Sequence, residues 1–313
     1  MSVVDRDAIA AAHERIRPFV RETPAMDVGA GTFGADHPLN LKLELLQHTG
    51  SFKPRGAFNN LLSREIPAAG VAAASGGNHG IAVAYAAHRL GIPAHIFVPS
   101  IASAVKVARI RGYGATVTQE GARYADALAL CEAHQAATGA LGVHAYDSVE
   151  TIAGQGTVAR EWEAQAAGLD TVLVAVGGGG LIAGIAAWLG GRVKVIGVEP
   201  ETSRCLHAAL EAGRPVDVSV EGVAADSLGA RSVGALPFAI AKEFVAAVVL
   251  VADAAIIEAQ ARLWRETRIA AEPGGATALA ALIAGAYRPA KGERVGVLVC
   301  GGNVDLAALA KLA

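Results

Sequence analysis

The sequence carries no excess of positive charge: 27 Lys and Arg stand against 29 Asp and Glu, a net charge of -2. Surfaces that track nucleic-acid phosphates gather a basic surplus on one face, so the expected partners are small molecules and not nucleic acid. Paired cysteines are missing as well. Cys131, Cys205 and Cys300 lie far apart with no C-x-x-C spacing, which argues against a zinc cage or a disulfide framework and fits a reducing cytoplasm. The first twenty residues mix Asp5, Asp7 and Glu14 with arginines and have no continuous apolar core, so no export signal is read there. Charge is sparse overall, 18% against 53% apolar content. Such a chain can bury a large core, and its length suggests about two domains.

Residues 171–191 contain no charge at all and are long enough to cross a bilayer by hydropathy. The run Gly177, Gly178, Gly179 and Gly180 breaks that reading, because each glycine costs roughly 1 kcal/mol inside a helix. The stretch divides better into a buried strand, a turn and a helix, and no membrane span is expected.

Short apolar runs at 71–74, 94–98, 115–118, 171–176, 193–198 and 295–299 alternate with helical patterns at 81–90, 102–111, 123–137, 152–167, 181–189 and 254–268. Alternation of this kind predicts an α/β protein with largely parallel sheets covered on both faces. Two such sheets are expected, with soft boundaries near residues 70 and 143: a larger domain from 1–70 and 144–313, and a smaller mobile one from 71–143. Leu39, Leu41, Leu43 and Leu45 alternate strictly, predicting a half-exposed strand that runs into the loop bearing Lys53.

Three loops carry chemistry. Ser51-Phe52-Lys53-Pro54-Arg55-Gly56 sets a lysine beside an aromatic ring; most lysines are solvated, but a buried one with lowered pKa attacks carbonyls to form a Schiff base. Ser75-Gly76-Gly77-Asn78-His79-Gly80 lies between a strand end and a helix start, where free N–H groups favour an anion such as a carboxylate. A capped glycine turn is the plain alternative. Gly177 to Gly180 likewise sits at a strand-to-helix turn that suits a phosphate. Gly178, Gly180 and Ala183 also satisfy the G-x-G-x-x-A dinucleotide pattern, with Glu199 about 20 residues on, so a nicotinamide oxidoreductase is a rival on that segment. A nicotinamide enzyme has no need of the other two loops, whereas a phosphorylated aldehyde needs an amine, a phosphate cradle and a carboxylate cradle together.

With Ile152-Ala153-Gly154-Gln155-Gly156-Thr157 and Cys300-Gly301-Gly302-Asn303 added, five ordered motifs resemble the serine/threonine dehydratase group of the fold type II, tryptophan synthase β-like pyridoxal-phosphate enzymes, which includes serine racemase. The resemblance covers nearly the whole chain. It implies two α/β domains with pyridoxal 5'-phosphate in the cleft between them, and a dehydratase (ammonia-lyase) that converts a β-hydroxy amino acid such as threonine or serine to a 2-keto acid and ammonia. A homodimer is the expected assembly. By the same resemblance Lys53 holds the cofactor and, once freed, takes the α-proton. Phe52 packs near the ring, Asn78 bonds the ring hydroxyl, and Gly177 to Gly180 bind the phosphate. The turn of Ser75, Gly76, Gly77, Asn78 and His79 holds the substrate carboxylate, and Cys300 faces the pyridine nitrogen. Glu272 is placed either near the ring edge or as a plain helix-start carboxylate.

Several departures narrow the reading. Gly76 stands where the racemase carries a serine acid, so racemisation is expected to be slow or absent. Glu199-Pro200 is present, but Cys205 replaces the aspartate of the relatives' cation site, and hard cations prefer oxygen, so no metal is expected. Arg231 is either a reader of a second carboxylate, as in a 3-hydroxyaspartate dehydratase, or a surface arginine. The sequence stops soon after Asn303, so an appended regulatory domain with feedback control is not expected.

Overall fold

Strands that read as unbroken apolar runs are covered on both faces. The computed structural model describes residues 4–312. Its strands are β1 (Ala25–Val28), β2 (Leu39–Lys42), β3 (Val71–Ala74), β4 (Ala94–Val98), β5 (Thr116–Gln119), β6 (Leu141–Gly142), β7 (Thr171–Ala175), β8 (Lys194–Pro200), β9 (Val245–Val251) and β10 (Val295–Leu298). One sheet has six strands in the order β1-β2-β10-β7-β8-β9; only the β1–β2 pair is antiparallel. The second has four parallel strands in the order β5-β4-β3-β6 and is built wholly from residues 71–142. The chain is thus an α/β protein with two largely parallel sheets, and the central strands β3, β7 and β10 are buried at every position, as parallel sheets covered by helices demand.

The helices are α1 (Arg6–Ile16), α2 (Lys53–Ser63), α3 (Asn78–Leu90), α4 (Ala104–Gly112), α5 (Tyr124–Thr138), α6 (Val149–Gln165), α7 (Gly180–Leu189), α8 (Cys205–Ala212), α9 (Ala225–Leu228), α10 (Ala235–Phe244), α11 (Asp253–Thr267), α12 (Pro273–Ile283) and α13 (Leu306–Ala310). Local chemistry fixes their ends. The Ser148 hydroxyl accepts from the Thr151 N–H to start α6, and Gly91 at φ 68° stops α3. Residues 171–191 divide into β7, a glycine turn and α7, and no helix among the described residues is long and apolar enough to cross a membrane.

The helix α6 explains the motif running from Ile152 to Thr157. A Cβ on Gly154 would lie 2.6 Å from the Arg55 carbonyl oxygen of α2, and one on Gly156 would lie 2.9 Å from the Gly184 carbonyl oxygen of α7. Only glycine lets α6 lie so close to both neighbours. Through α6, the helix that begins with Lys53 and the helix that follows the glycine turn are locked into one block.

Two expectations fail at β2. The strand is buried on both faces, including Asn40 and Lys42, because it lies between β1 and β10 and its polar groups are satisfied internally. Asn40 accepts from the Trp162 indole at 2.6 Å, and Lys42 donates to Glu161 at 2.5 Å. Nor does the strand present Lys53 in a loop. Two short 3-10 turns (Glu44–Leu46 and His48–Gly50) intervene, and Lys53 is the first residue of α2, with Pro54 behind it in the first turn.

Candidate active site

Four strand-end or helix-start segments converge on one cleft, lined by Phe52, Lys53, Asn78, Tyr146, Gly177 to Gly180, Ser227, Leu228, Glu272, Gly274 and Cys300. Lys53 comes from the start of α2, Asn78 from the start of α3, the glycines from the β7–α7 turn, and Cys300 from just beyond β10. These are the C-terminal ends of parallel strands, where open α/β sheets place their ligands.

The Lys53 Nζ donates to the Ala145 carbonyl at 3.0 Å and lies 5.1 Å from the centre of the Phe52 ring. Burial lowers its pKa to about 8, although the nearby Cys300 and Glu272 pull the other way. A lysine near neutrality is a usable nucleophile and base. Cys300 is buried and its Sγ donates to the Gly274 carbonyl at 3.4 Å. Burial, with Glu272 adding to it, pushes its pKa up to about 12, so the sulfur is a neutral thiol at physiological pH.

The glycine turn is closed on one side by Tyr146. A Cβ on Gly178 would overlap the Tyr146 ring, and one on Gly180 would lie 2.8 Å from the Tyr146 Cα. Gly179 sits at φ 92°, where other residues are strained. Four residues without side chains thus line the cleft at the start of α7, a concavity that fits a phosphate. Together with the lysine amine, this cradle fits a phosphorylated aldehyde.

In the β3–α3 turn the Ser75 hydroxyl accepts from the Gly77 N–H at 3.2 Å. Asn78 donates from Nδ2 to Glu272 Oε1 at 2.6 Å, and its Oδ1 accepts from Asn303 Nδ2 at 2.7 Å. His79 turns away from the cleft. Its ring is buried and hydrogen-bonded through Nε2 to the Val143 carbonyl at 2.9 Å, and burial first, then the charge of Lys53, hold its pKa at about 3. His79 therefore stays neutral and joins the turn through its backbone. Gly76 is packed against Ala102, whose methyl would lie 2.9 Å from an added Cβ.

Glu272 is the residue before α12, and it also lines the cleft. Burial raises its pKa to about 7 against the opposing Asn78 bond. Glu199, which a nicotinamide enzyme would turn toward a ribose, is buried instead. Its two oxygens accept from the Leu206 and His207 N–H groups at 2.9 and 2.8 Å. The Cys205 thiol donates to the Gly177 carbonyl at 3.2 Å. Arg231 is exposed, with its guanidinium 3.6 Å from Asp217, and does not line the cleft.

Sequence reasoning missed Tyr146, and took Ser227 only as the mark of a subtype. Tyr146 is one aromatic in an unremarked crossover, and nothing in its neighbours signals that its ring closes the cradle. Ser227 Oγ accepts from the Gly274 N–H at 3.2 Å and so joins α9 to the first turn of α12.

The family model described as pyridoxal-phosphate dependent enzyme matches residues 16–301. The chain is 40% identical to phenylserine dehydratase of Ralstonia pickettii over 314 residues, covering 98% of this chain and 95% of that protein. It is 38% identical to L-threonine ammonia-lyase of Geobacter sulfurreducens, covering 95% and 75%. The solved structure of maize serine racemase superposes with a TM-score of 0.92 at 34% identity, covering 98% of this chain and 96% of that one.

Proposed function

Since the chain belongs to the pyridoxal-phosphate dependent enzymes, in the serine/threonine dehydratase group, we propose that it is a hydroxy amino acid dehydratase: it removes the β-hydroxyl and the amine of a small β-hydroxy amino acid to give a 2-keto acid and ammonia. The observation that carries this is one cleft lined by an amine of lowered pKa, the run Gly177 to Gly180, Asn78 from the start of α3 and a neutral thiol.

Pyridoxal phosphate, when bound, supplies the electron sink that loosens the bond from the α-carbon to its proton and then the bond to the β-hydroxyl. The chain's own residues do the rest. Lys53 is the attachment point, and its released amine takes the α-proton at Nζ. Gly177 to Gly180 hold the phosphate, and Phe52 covers the ring. Ser75, Gly76, Gly77, Asn78 and His79 orient the carboxylate through the backbone N–H groups at the start of α3. Asn78 meets the ring hydroxyl. Cys300, as a neutral thiol, would stand at the ring nitrogen and could not enforce a positive charge there as a carboxylate would.

For the substrate, threonine and serine lead, and 3-phenylserine joins them because the relative named for it is 40% identical across nearly the whole chain. The exposed, paired Arg231 weighs against a second-carboxylate reader and hence against 3-hydroxyaspartate. We also propose that residues 71–143 form a smaller unit that closes over the cleft against 1–70 and 144–313, and that the enzyme works as a cytoplasmic homodimer. The three free, buried cysteines fit a reducing compartment.

The test is borohydride reduction of the loaded protein with peptide mass mapping, followed by incubation with the four hydroxy amino acids and assay of keto acid and ammonia. A phosphopyridoxyl label on Lys53 and keto acid release are expected. Label elsewhere, or none, removes the mechanism.

A further inference from the structure

Four polar side chains, two from the four-stranded unit and two from the rest, form a directed line into the cleft. Arg109 of α4 donates from Nη1 to Asn303 Oδ1 at 2.6 Å. Asn303 donates from Nδ2 to the Thr49 carbonyl at 2.9 Å and to Asn78 Oδ1 at 2.7 Å. Asn78 in turn donates from Nδ2 to the buried Glu272 at 2.6 Å.

The direction of this line is not free. A side-chain amide has a donor end and an acceptor end that a half-turn exchanges at almost no change of shape, so its partners decide which way it points. A guanidinium only donates and a backbone carbonyl only accepts. Arg109 therefore demands the oxygen of Asn303, and Thr49 demands its nitrogen. Both requirements agree, which leaves an N–H of Asn303 for Asn78. Asn78 must then accept with its oxygen and present its own N–H groups to Glu272 and the cleft. Were Asn303 reversed, donor would face donor at Arg109 and acceptor would face acceptor at Thr49 and Asn78.

We propose that Asn303 is a positioning residue of the cofactor site, passing the polarity of Arg109 to Asn78 so that Asn78 faces Glu272 and the cofactor with its donor end. This rests on the cofactor reading above. Asn303 does not line the cleft; it acts through Asn78, and the setting is complete only while α4 lies against Asn303.

The experiment is fluorescence titration of apoproteins with pyridoxal phosphate, with circular dichroism as the folding check. Asn303→Ala is expected to weaken cofactor binding about tenfold, the scale of one charge-assisted hydrogen bond. The double variant with Asn78→Ala is expected to bind no more weakly than Asn78→Ala alone, because residues in one network are not additive. Arg109→Glu, which reverses the demand on Asn303, is expected to weaken binding more than Arg109→Ala does, and that difference is expected to vanish when Asn303→Ala is added. If Asn303→Ala does not fold, the comparison of Arg109→Glu with Arg109→Ala decides alone. Wild-type affinity in Asn303→Ala, multiplying effects in the double variant, or equal losses from the two Arg109 variants overturn the proposal. Failure of the wild-type protein to bind the cofactor or take label at Lys53 sinks the cofactor reading instead, so the two failures are distinct.

Discussion

The guanidinium of Arg55 meets the carboxylate of Glu161 at 3.0 Å where both side chains are almost wholly shielded from solvent. Glu44 joins the same guanidinium at 2.6 Å, and Lys42 reaches Glu161 at 2.5 Å, so two cations and two anions share one interior pocket. Arg55 lies two residues past Lys53 on α2. The network therefore pins the first turn of the helix that carries the reactive amine.

Removing one partner of such a group leaves an uncompensated buried charge. Arg55→Met is expected to cost about 3–5 kcal/mol of unfolding free energy, read from urea denaturation of the apoprotein. Lys53 labelling should fall with it. A loss under about 1 kcal/mol, the scale of an exposed ion pair, contradicts the assignment.

The lowered pKa of Lys53 gives a pH signature. A lysine is reactive only as the free amine, so its reactive fraction rises with pH and reaches half at about 8, where an ordinary lysine is still almost fully protonated. Reductive methylation of the apoprotein, followed residue by residue by mass spectrometry, should therefore show Lys53 reaching its plateau well before the exposed lysines do. A midpoint near 10 at Lys53 refutes the burial argument.

Two glycines of the phosphate cradle should respond differently to enlargement. Gly178→Ala strikes the ring of Tyr146, whereas Gly180→Ala strikes Tyr146 backbone. Overpacking of this kind costs about 1–3 kcal/mol. Adding Tyr146→Ala should restore melting temperature and cofactor affinity to the Gly178 variant and leave the Gly180 variant impaired. Equal rescue of both would show that the ring does not close the turn.

Gly76 bears on stereochemistry. Wild-type protein given L-serine should release pyruvate without D-serine on chiral chromatography, because no side-chain acid stands at that position. Gly76→Ser alone should stay inactive as a racemase, since its Cβ meets the Ala102 methyl at 2.9 Å. Combination with Ala102→Gly removes that contact. D-serine from the wild type counts against the argument.

Strands and helices were legible where tertiary packing agreed with local pattern: the expected runs at 71–74 and 94–98 coincide with β3 and β4. The β2 region was misread for a physical reason. Asn40 and Lys42 look like a solvent face, and only the distant Trp162 and Glu161 reveal that they are interior groups with partners. Arg55, Glu44 and Glu161 were opaque for the same reason, since burial of a charge depends on a counter-charge far away in the chain. At the cleft, the two glycine turns were visible because each breaks a local rule at a strand-to-helix junction, whereas Lys53 and Cys300 stood out only through the ordered motifs around them and the family resemblance those motifs carry. Tyr146 and the line through Asn303 break none; their meaning lies in orientation, which composition does not carry.

The six-stranded sheet has a temporal corollary. Its second strand pairs in parallel with its last, Leu39 beside Val295, while the four-stranded sheet closes entirely within residues 71–142. During synthesis the four-stranded sheet has all its strands before the six-stranded one does. The early strand β2 waits with an open hydrogen-bonding edge until the C-terminal stretch leaves the ribosome, a long-range closure that is slow and exposed to aggregation. Nascent chains stalled just short of β10 should thus display a protease-resistant inner core inside a still-unassembled frame.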